Sequence, residues 1–355
     1  MASFKSLFKS ACKLSFYKAL NKKFPLNVYF SITNRCNLNC SYCYGEYSAR
    51  KNYKEFETKE IFSILDELKN LGTVLLQFQG GEPLIRNDIK EIIEYSAKLD
   101  FNLDLITNGT LINKNIDALK LLNSVCISLD GMKEINDKNR GKDTFEKIIE
   151  GVKICRELKI PTRINSVITA DTRIEDVDFL AEFCKKNKCI LNFGTAFDFK
   201  PITELKTFDS LKYDKTAYNK ILGRIIFHKQ KKIPIQFTAK SYTAAKNWPF
   251  PLDKYSMKIN EIPRGYKYPK CYHGDFVCFI DGDGRLYPCC NFWNNYPNVN
   301  VRDEGFKKGW EKLSRNNCES CYNFSYTDRN LLLNFDISAF INYFKNYIFD
   351  KKNNG

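Results

Sequence analysis

The 355-residue chain is marked first by what it lacks. It has no run of 18 or more apolar residues, so no stretch reads as a membrane span. Residues 1–24 lack the continuous apolar block of a secretory signal. Acid is missing from the whole N-terminal region: no Asp or Glu precedes Glu46, whereas Lys5, Lys9, Lys13, Lys18, Lys22, Lys23 and Arg35 do. No ordered recognition motif accompanies the aromatic, lysine-rich stretches, which argues against nucleic acid as a partner. Two things are abundant, cysteine (14) and positive charge (+15). Cysteines without an export signal indicate a reducing, cytoplasmic compartment and metal ligation, not disulfides. The basic surplus suits an acidic partner such as a phosphorylated small molecule, an acidic peptide or an anionic lipid surface.

Three cysteines fall within eight residues, Cys36-Asn37-Leu38-Asn39-Cys40-Ser41-Tyr42-Cys43, directly after the apolar, alternating run 26–32. That run predicts a strand, so the cysteines occupy the loop at its C-terminal end. Three thiolates are one short of a closed four-coordinate site. An iron–sulfur cluster held by three cysteines keeps one iron open to an outside ligand.

From residue 26 to 195 strand and helix patterns alternate. Strands are predicted at 26–32, 73–79, 101–107, 124–129, 162–168 and 189–195, with helices near 57–70, 86–99, 114–122, 143–159 and 173–187. Six such units imply parallel strands with right-handed crossovers. The fold class is therefore α/β, a partial (β/α)6 TIM-like barrel whose chemistry collects at the strand C-termini. The strand exits agree: Gln79-Gly80-Gly81-Glu82-Pro83, Thr107-Asn108-Gly109 and Ser128-Leu129-Asp130-Gly131. The paired glycines let the backbone approach a ligand, and Glu82 offers a carboxylate to an ammonium group.

A second cysteine set comprises Cys271, Cys278, Cys289, Cys290, Cys318 and Cys321. A hairpin, 276–280 and 285–287 around a turn at 281–284, would bring Cys271 near Cys289. After a helix near 304–316, Cys318 and Cys321 form a two-residue-spaced clamp. Cys271, Cys289, Cys318 and Cys321 can complete a closed four-thiolate site for zinc or iron–sulfur. Cys12, Cys126, Cys155, Cys184 and Cys189 read as core filler, and His228, beside a Lys-rich run, as solvated.

The spacing Cys-x3-Cys-x-aromatic-Cys, with Tyr42 at the aromatic place, resembles the radical S-adenosylmethionine superfamily. The resemblance implies a 4Fe–4S cluster on Cys36, Cys40 and Cys43 whose open iron chelates S-adenosylmethionine. Reduction would release a 5′-deoxyadenosyl radical that takes a hydrogen atom from substrate. It further implies Tyr42 beside the adenine, Gln79 and Gly80–Pro83 at the amino group, and Ser128 at the methionine or ribose. Arg140 would meet the carboxylate and Asn165 the ribose, with Asn108 and Asp130 on the same rim.

Cys-x17-Cys followed by Cys-x2-Cys, with a Gly-x-x-Tyr-Pro-Cys hairpin, resembles the SPASM/twitch extension of these enzymes. The run Cys-x2-Cys-x5-Cys-x3-Cys is absent, so one auxiliary 4Fe–4S cluster is expected, on Cys271, Cys289, Cys318 and Cys321. Cys278 and Cys290 would pack nearby, with Cys290 able to replace Cys289 as ligand. The expected organisation is a basic amphipathic helix (1–24) packed on the barrel, the barrel (25–200) and a substrate-facing segment (201–270). The cysteine-rich extension (271–321) and a C-terminal amphipathic helix with a frayed tail (322–355) follow.

The reaction implied is net oxidation or cross-linking of a peptide, or oxidation of a small molecule, with electrons from a flavodoxin or ferredoxin. About 25 residues precede the barrel, so a leader peptide would need a separate recognition protein. A lipid or polyprenyl substrate, with peripheral membrane contact through the terminal helices, is the alternative. A non-catalytic metal- or nucleic-acid-binding protein is the reading from another class, and the strand-exit motifs count against it.

Overall fold

The computed structural model describes residues 4–47, 53–196, 214–292, 299–314 and 318–354, with side chains from residue 12 onward. The strands are β1 (Asn27–Thr33), β2 (Leu75–Gly80), β3 (Asn102–Thr107), β4 (Ser124–Ser128), β5 (Thr162–Ile168) and β6 (Ile190–Thr195). Further along come β7 (Ser256–Lys258), β8 (Val277–Ile280), β9 (Leu286–Tyr287) and β10 (Cys318–Cys321). The helices are α1 (Phe4–Ala19), α2 (Thr58–Leu71), α3 (Ile89–Lys98), α4 (Ile116–Leu119), α5 (Lys133–Arg140) and α6 (Thr144–Glu157). They continue with α7 (Ile174–Lys186), α8 (Lys215–Gln230), α9 (Ala239–Lys246), α10 (Val301–Lys312), α11 (Phe324–Leu333) and α12 (Ile337–Asn354).

The first six strands pair in parallel as expected of a partial barrel, but the sheet has eight strands, ordered β6-β5-β4-β3-β2-β1-β8-β9. The C-terminal hairpin is part of that sheet: β8 runs parallel to β1, with Asn27 opposite Val277 and Phe30 opposite Ile280. β1 therefore lies inside the sheet, bonded on both edges.

Alternation along the strands separates two environments. Val28, Phe30, Ile32, Leu76, Phe78 and Leu105 are fully buried, and Phe30 meets Phe56 edge-on at 5.4 Å. The other face carries a ladder of polar residues. Gln77 donates to Asn27 (3.1 Å), Ser124 to Asp104 (2.7 Å) and Asn192 to Asn165 (3.0 Å); Arg163 pairs with Asp104. A cavity of about 290 Å³ opens on this face, lined by Asn27, Leu75, Asn102, Ser124 and Ile190 at the strand N-termini and by Tyr343, Asn346 and Asp350 of α12.

Several expectations are corrected. The 114–122 helix shrinks to the single turn α4. Helix α5 was not anticipated, because its sequence KEINDKNR carries no apolar stripe. Within 201–270, the stretch 201–213 lies outside the described residues. The remainder forms α8, α9 and β7 and contributes to the core: Tyr242 is 0 % and Trp248 2 % exposed. His228 is buried beside Asp178, at 2.6 Å from Nε2 to Oδ1, where Arg224 completes the charge pairing. Cys126, Cys155, Cys184 and Cys189 are core filler, but Cys12 is exposed. The C-terminal segment is two helices, broken where Phe335 adopts φ +60°, and its tail stays helical to Asn354.

The N-terminal helix packs on the body. Phe4, Leu7, Phe8 and Ala11 fall outside the described side chains, while Leu14 is buried and Lys18 donates to Leu333 O (2.6 Å). Just beyond the helix, Lys23 donates to Trp310 O (2.7 Å), Glu311 O (3.1 Å) and Leu313 O (2.8 Å), capping the C-terminal end of α10. Lys23→Met should cost about 1–3 kcal/mol, read by denaturant unfolding, with faster amide exchange at the end of α10. Burial raises Asp350 from 3.8 to about 6. Its favourable contribution is full below 3.8 and disappears as pH rises through about 6. Asp350→Asn should therefore stabilise the protein by up to about 3 kcal/mol at pH 8 and have little effect below pH 4.

Candidate active site

The three-cysteine loop leaves β1 at Thr33 and is stitched to the exits of its neighbours. Gly81 N donates to Thr33 O (3.0 Å) and Glu82 N to Arg35 O (2.8 Å). A Cβ at Gly81 would stand 2.2 Å from Arg35 O and 2.9 Å from Cys36 Cβ. The glycine pair is thus demanded by the close passage of the cysteine loop. Asn108 reaches the same loop, donating to Asn37 Oδ1 (2.9 Å) while its own Oδ1 holds Thr110.

Two carboxylates expected at the cofactor are each held by three protein donors. Glu82 is 0 % exposed and accepts from Leu84 N (3.0 Å), Thr107 Oγ1 (2.8 Å) and Asn108 N (2.7 Å). Burial raises it from 4.5 to about 7 against those three donors. It ties the exit of β2 to that of β3.

Asp130, also 0 % exposed, accepts from Tyr42 OH (2.7 Å), Arg140 Nη2 (2.9 Å) and Val167 N (3.1 Å). It braces the aromatic of the cysteine motif and the guanidinium at once. Arg140 lies 5.6 Å over the Tyr42 ring. Burial pushes the Tyr42 phenol well above its ordinary range, with the Arg140 charge opposing, so Tyr42 is the donor to Asp130. Ser128 and Asn165 are paired across β4 and β5, and Asn165 accepts from Asn192. Gln79 is largely buried, opposite Ser31.

Cys36, Cys40 and Cys43 lie within electrostatic reach of one another. Burial pushes the Cys36 and Cys40 thiols up, to about 11 and about 12. Around them sit buried polar atoms with no protein partner: both side-chain atoms of Asn34 and Asn139, and Nε of Arg140. Asn139 adjoins the loop directly, its carbonyl taking Ser41 N at 2.9 Å. Neither asparagine was singled out in the sequence; the adjacency of Asn139 to Arg140 and of Asn34 to the cysteine run was the available signal.

The second set also converges. Burial raises Cys289 well above its ordinary range, and Cys290, Cys318, Cys271 and Cys321 add to the rise. Strand β10, carrying Cys318 and Cys321, pairs antiparallel with β7, and Cys271 N donates to Glu319 O (3.2 Å). Cys290 is hydrogen-bonded to Tyr326 OH, and Tyr326 packs on the His273 ring at 4.4 Å. Burial lowers His273 to about 3, with the Arg329 charge assisting. Burial raises the phenol of Tyr44, also missed in the sequence, and Cys290 and Cys43 add to the rise.

Among the described residues no three His, Cys, Asp or Glu side chains stand close enough to chelate a single ion. Three thiols in one loop are the donor set of a cluster with one open iron, and four thiols are the donor set of a closed site. The unpartnered atoms of Asn139 and Arg140 fit a polar ligand beside the first set.

Comparison with known proteins agrees. Residues 30–184 match the model of the Radical SAM superfamily. The probable GTP 3′,8-cyclase of Methanosarcina acetivorans is 30% identical over 307 residues, 80% of this chain and 83% of that protein. The chain belongs to the radical SAM superfamily. It is also similar to Fe-coproporphyrin III synthase of Methanosarcina barkeri, 27% identical over 302 residues, covering 81% of this chain and 74% of that one. Among solved structures, Streptococcus suis SuiB bound to S-adenosylmethionine shares the fold, with a TM-score of 0.66 at 20% identity, over 85% of this chain and 69% of SuiB. This radical SAM protein is thus a partial barrel with a cysteine-rich C-terminal extension, and membership implies a 4Fe–4S cluster and S-adenosylmethionine. No helix among the described residues is long and apolar enough to cross a membrane.

Asp130→Asn keeps an acceptor for Tyr42 but removes the counter-charge of buried Arg140. It should cost about 3–5 kcal/mol in stability and weaken S-adenosylmethionine binding at least about 10-fold, measured by equilibrium dialysis, without lowering the iron content of the first site.

Proposed function

We propose that this radical SAM protein oxidises a small anionic substrate by hydrogen-atom abstraction coupled to electron transfer at a second, auxiliary cluster. The observation that carries the reading is the pairing of two unlike thiol sets, one of three in the loop leaving β1 and one of four brought together in the C-terminal extension.

Cys36, Cys40 and Cys43 hold the first 4Fe–4S cluster; Cys271, Cys289, Cys318 and Cys321 hold the second. Tyr42, Gln79, Gly80, Gly81, Ser128, Arg140 and Asn165 line the S-adenosylmethionine, with Asn139 offering its unpartnered amide. Glu82, Pro83, Asn108 and Asp130 shape that lining from behind. When bound there, the cluster and S-adenosylmethionine would together supply hydrogen-atom abstraction chemistry. A cluster closed by four thiolates supplies a one-electron acceptor, the co-reactant that net oxidation requires. The protein holds Arg140 through Asp130, so the cofactor carboxylate would meet a pre-placed cation.

Two supports favour an anionic small molecule. The chain carries a formal +15, and two relatives matched over most of their length are named Fe-coproporphyrin III synthase and probable GTP 3′,8-cyclase, names that point to carboxylate- and phosphate-bearing molecules. Peptide maturation is the competing substrate class and is decided by the same assay.

Anaerobic reconstitution should give about eight irons per chain. Cys40→Ala should lose about half and abolish 5′-deoxyadenosine formation. Cys318→Ala should also lose about half, yet still form 5′-deoxyadenosine while losing oxidised product. Coproporphyrin-type tetrapyrroles, nucleoside triphosphates and a peptide panel serve as probes, read as a product lighter by two hydrogens. Turnover of peptides alone would overturn the substrate class, and cofactor cleavage by Cys40→Ala would overturn the mechanism.

A further inference from the structure

Helix α12 is amphipathic in the wrong sense for a soluble body. Its inner face is polar: Asn342 donates to Gln236 O (2.6 Å), Asn346 to the same carbonyl (2.9 Å), and Lys229 to Asn342 Oδ1 (2.8 Å). Asp350 is buried on that side. Its outer face is apolar. Ile337, Ile341, Phe344 and Ile348 recur at helical spacing and are 76, 51, 48 and 51 % exposed. Helices on a globular surface point the apolar stripe inward, so this one is built for something beyond the chain.

The patch does not end with α12. Phe16 and Leu20, at the end of α1, are 62 and 48 % exposed, and Lys18 joins that end to the α11–α12 break by its bond to Leu333 O. Of the twelve large apolar side chains exposed among the described residues, eight belong to α12, the residue Phe335 before it and this end of α1. Such clustering marks an interaction surface, where scattered exposure would not.

Charge selects the occupant. Lys345, Lys351 and Lys352 are exposed along the stripe, the only acid of α12 is the buried Asp350, and α1 has none. A two-fold pairing with a second copy would set this cationic face against itself. An apolar stripe edged by lysines, whose one flanking acid, Asp336, is paired with Lys240, matches an anionic bilayer surface, on which the helix lies flat. We propose that α12, with the end of α1, docks this protein on anionic lipid.

The placement also orients the molecule. α12 covers the strand N-termini, whereas the three-cysteine loop leaves the opposite end of β1, a strand of seven residues that spans roughly 20 Å. The bilayer would therefore face away from the radical site and serve as a tether. This counts against a lipid substrate and is independent of which soluble substrate is oxidised.

The test sediments the full-length, anaerobically reconstituted protein with vesicles of phosphatidylcholine alone and with vesicles rich in phosphatidylglycerol. Binding is expected only to the second, weakening with salt and falling about five-fold for each of Lys345→Gln and Lys352→Gln. The Ile341→Glu/Phe344→Glu variant should lose it while keeping the wild-type melting temperature and 5′-deoxyadenosine formation. Three results would each overturn the proposal: no vesicle binding at low salt, equal binding to both lipids, or a light-scattering dimer that the double variant dissociates.

Discussion

The hydrogen-bonded position of β1 is the constraint from which the rest follows. A strand paired in parallel on both sides, with β2 and with β8, cannot shift register without breaking two ladders. The loop that carries Cys36, Cys40 and Cys43 issues from this immobile strand, so its thiols inherit a fixed origin. Through β8 the same strand anchors the C-terminal hairpin, and with it Cys289. β1 thus ties the loop of the first cysteine set to the hairpin that leads to Cys289 of the second, more than 200 residues away in the chain.

Around that frame, buried carboxylates act as braces. Glu82 and Asp130 each sit at 0 % exposure, where a charge is costly unless its lone pairs are met. Both are met: Glu82 by donors from its own turn and from the β3 exit, Asp130 by Tyr42, Arg140 and Val167. Because such bonds are strong in a low-dielectric interior, they fix the relative positions of the strand exits. Among the buried atoms without a protein partner, those of Asn139 and Arg140 adjoin the cysteine loop. Motif residues divide accordingly into those that hold the rim and those that can face what it binds.

The opposite end of the barrel shows the reverse arrangement. Where the upper exits close polar groups inward, the floor buries a polar layer of Asn27, Gln77, Asp104 and Arg163 under a helix whose own polar side faces them. Polar matching inside leaves the apolar stripe of α12 outside. The terminal helices are thus both structural covers and a surface, and Lys18 and Lys23, which looked like free basic charge, are committed to backbone carbonyls of α11 and of the end of α10.

Much of this was legible in the residue order. The six barrel strands follow from alternation and turn chemistry, which are local, and the family follows from cysteine spacing, which is a ligand geometry written in one loop. The reading failed where long-range packing decides. Helix α5 has no stripe to show, His228 looked solvated until Asp178 came to it from α7, and the tail looked like one ordinary amphipathic helix because periodicity records a stripe but not which way it points. Sequence alone determined that a three-thiol centre sits at a strand exit of an α/β barrel with a second thiol set behind it. Only the tertiary structure decided that β8 joins β1, that Asp130 couples Tyr42 to Arg140, and that α12 turns its apolar side outward. Those depend on contacts between segments far apart in the chain, whose free energies no local pattern contains.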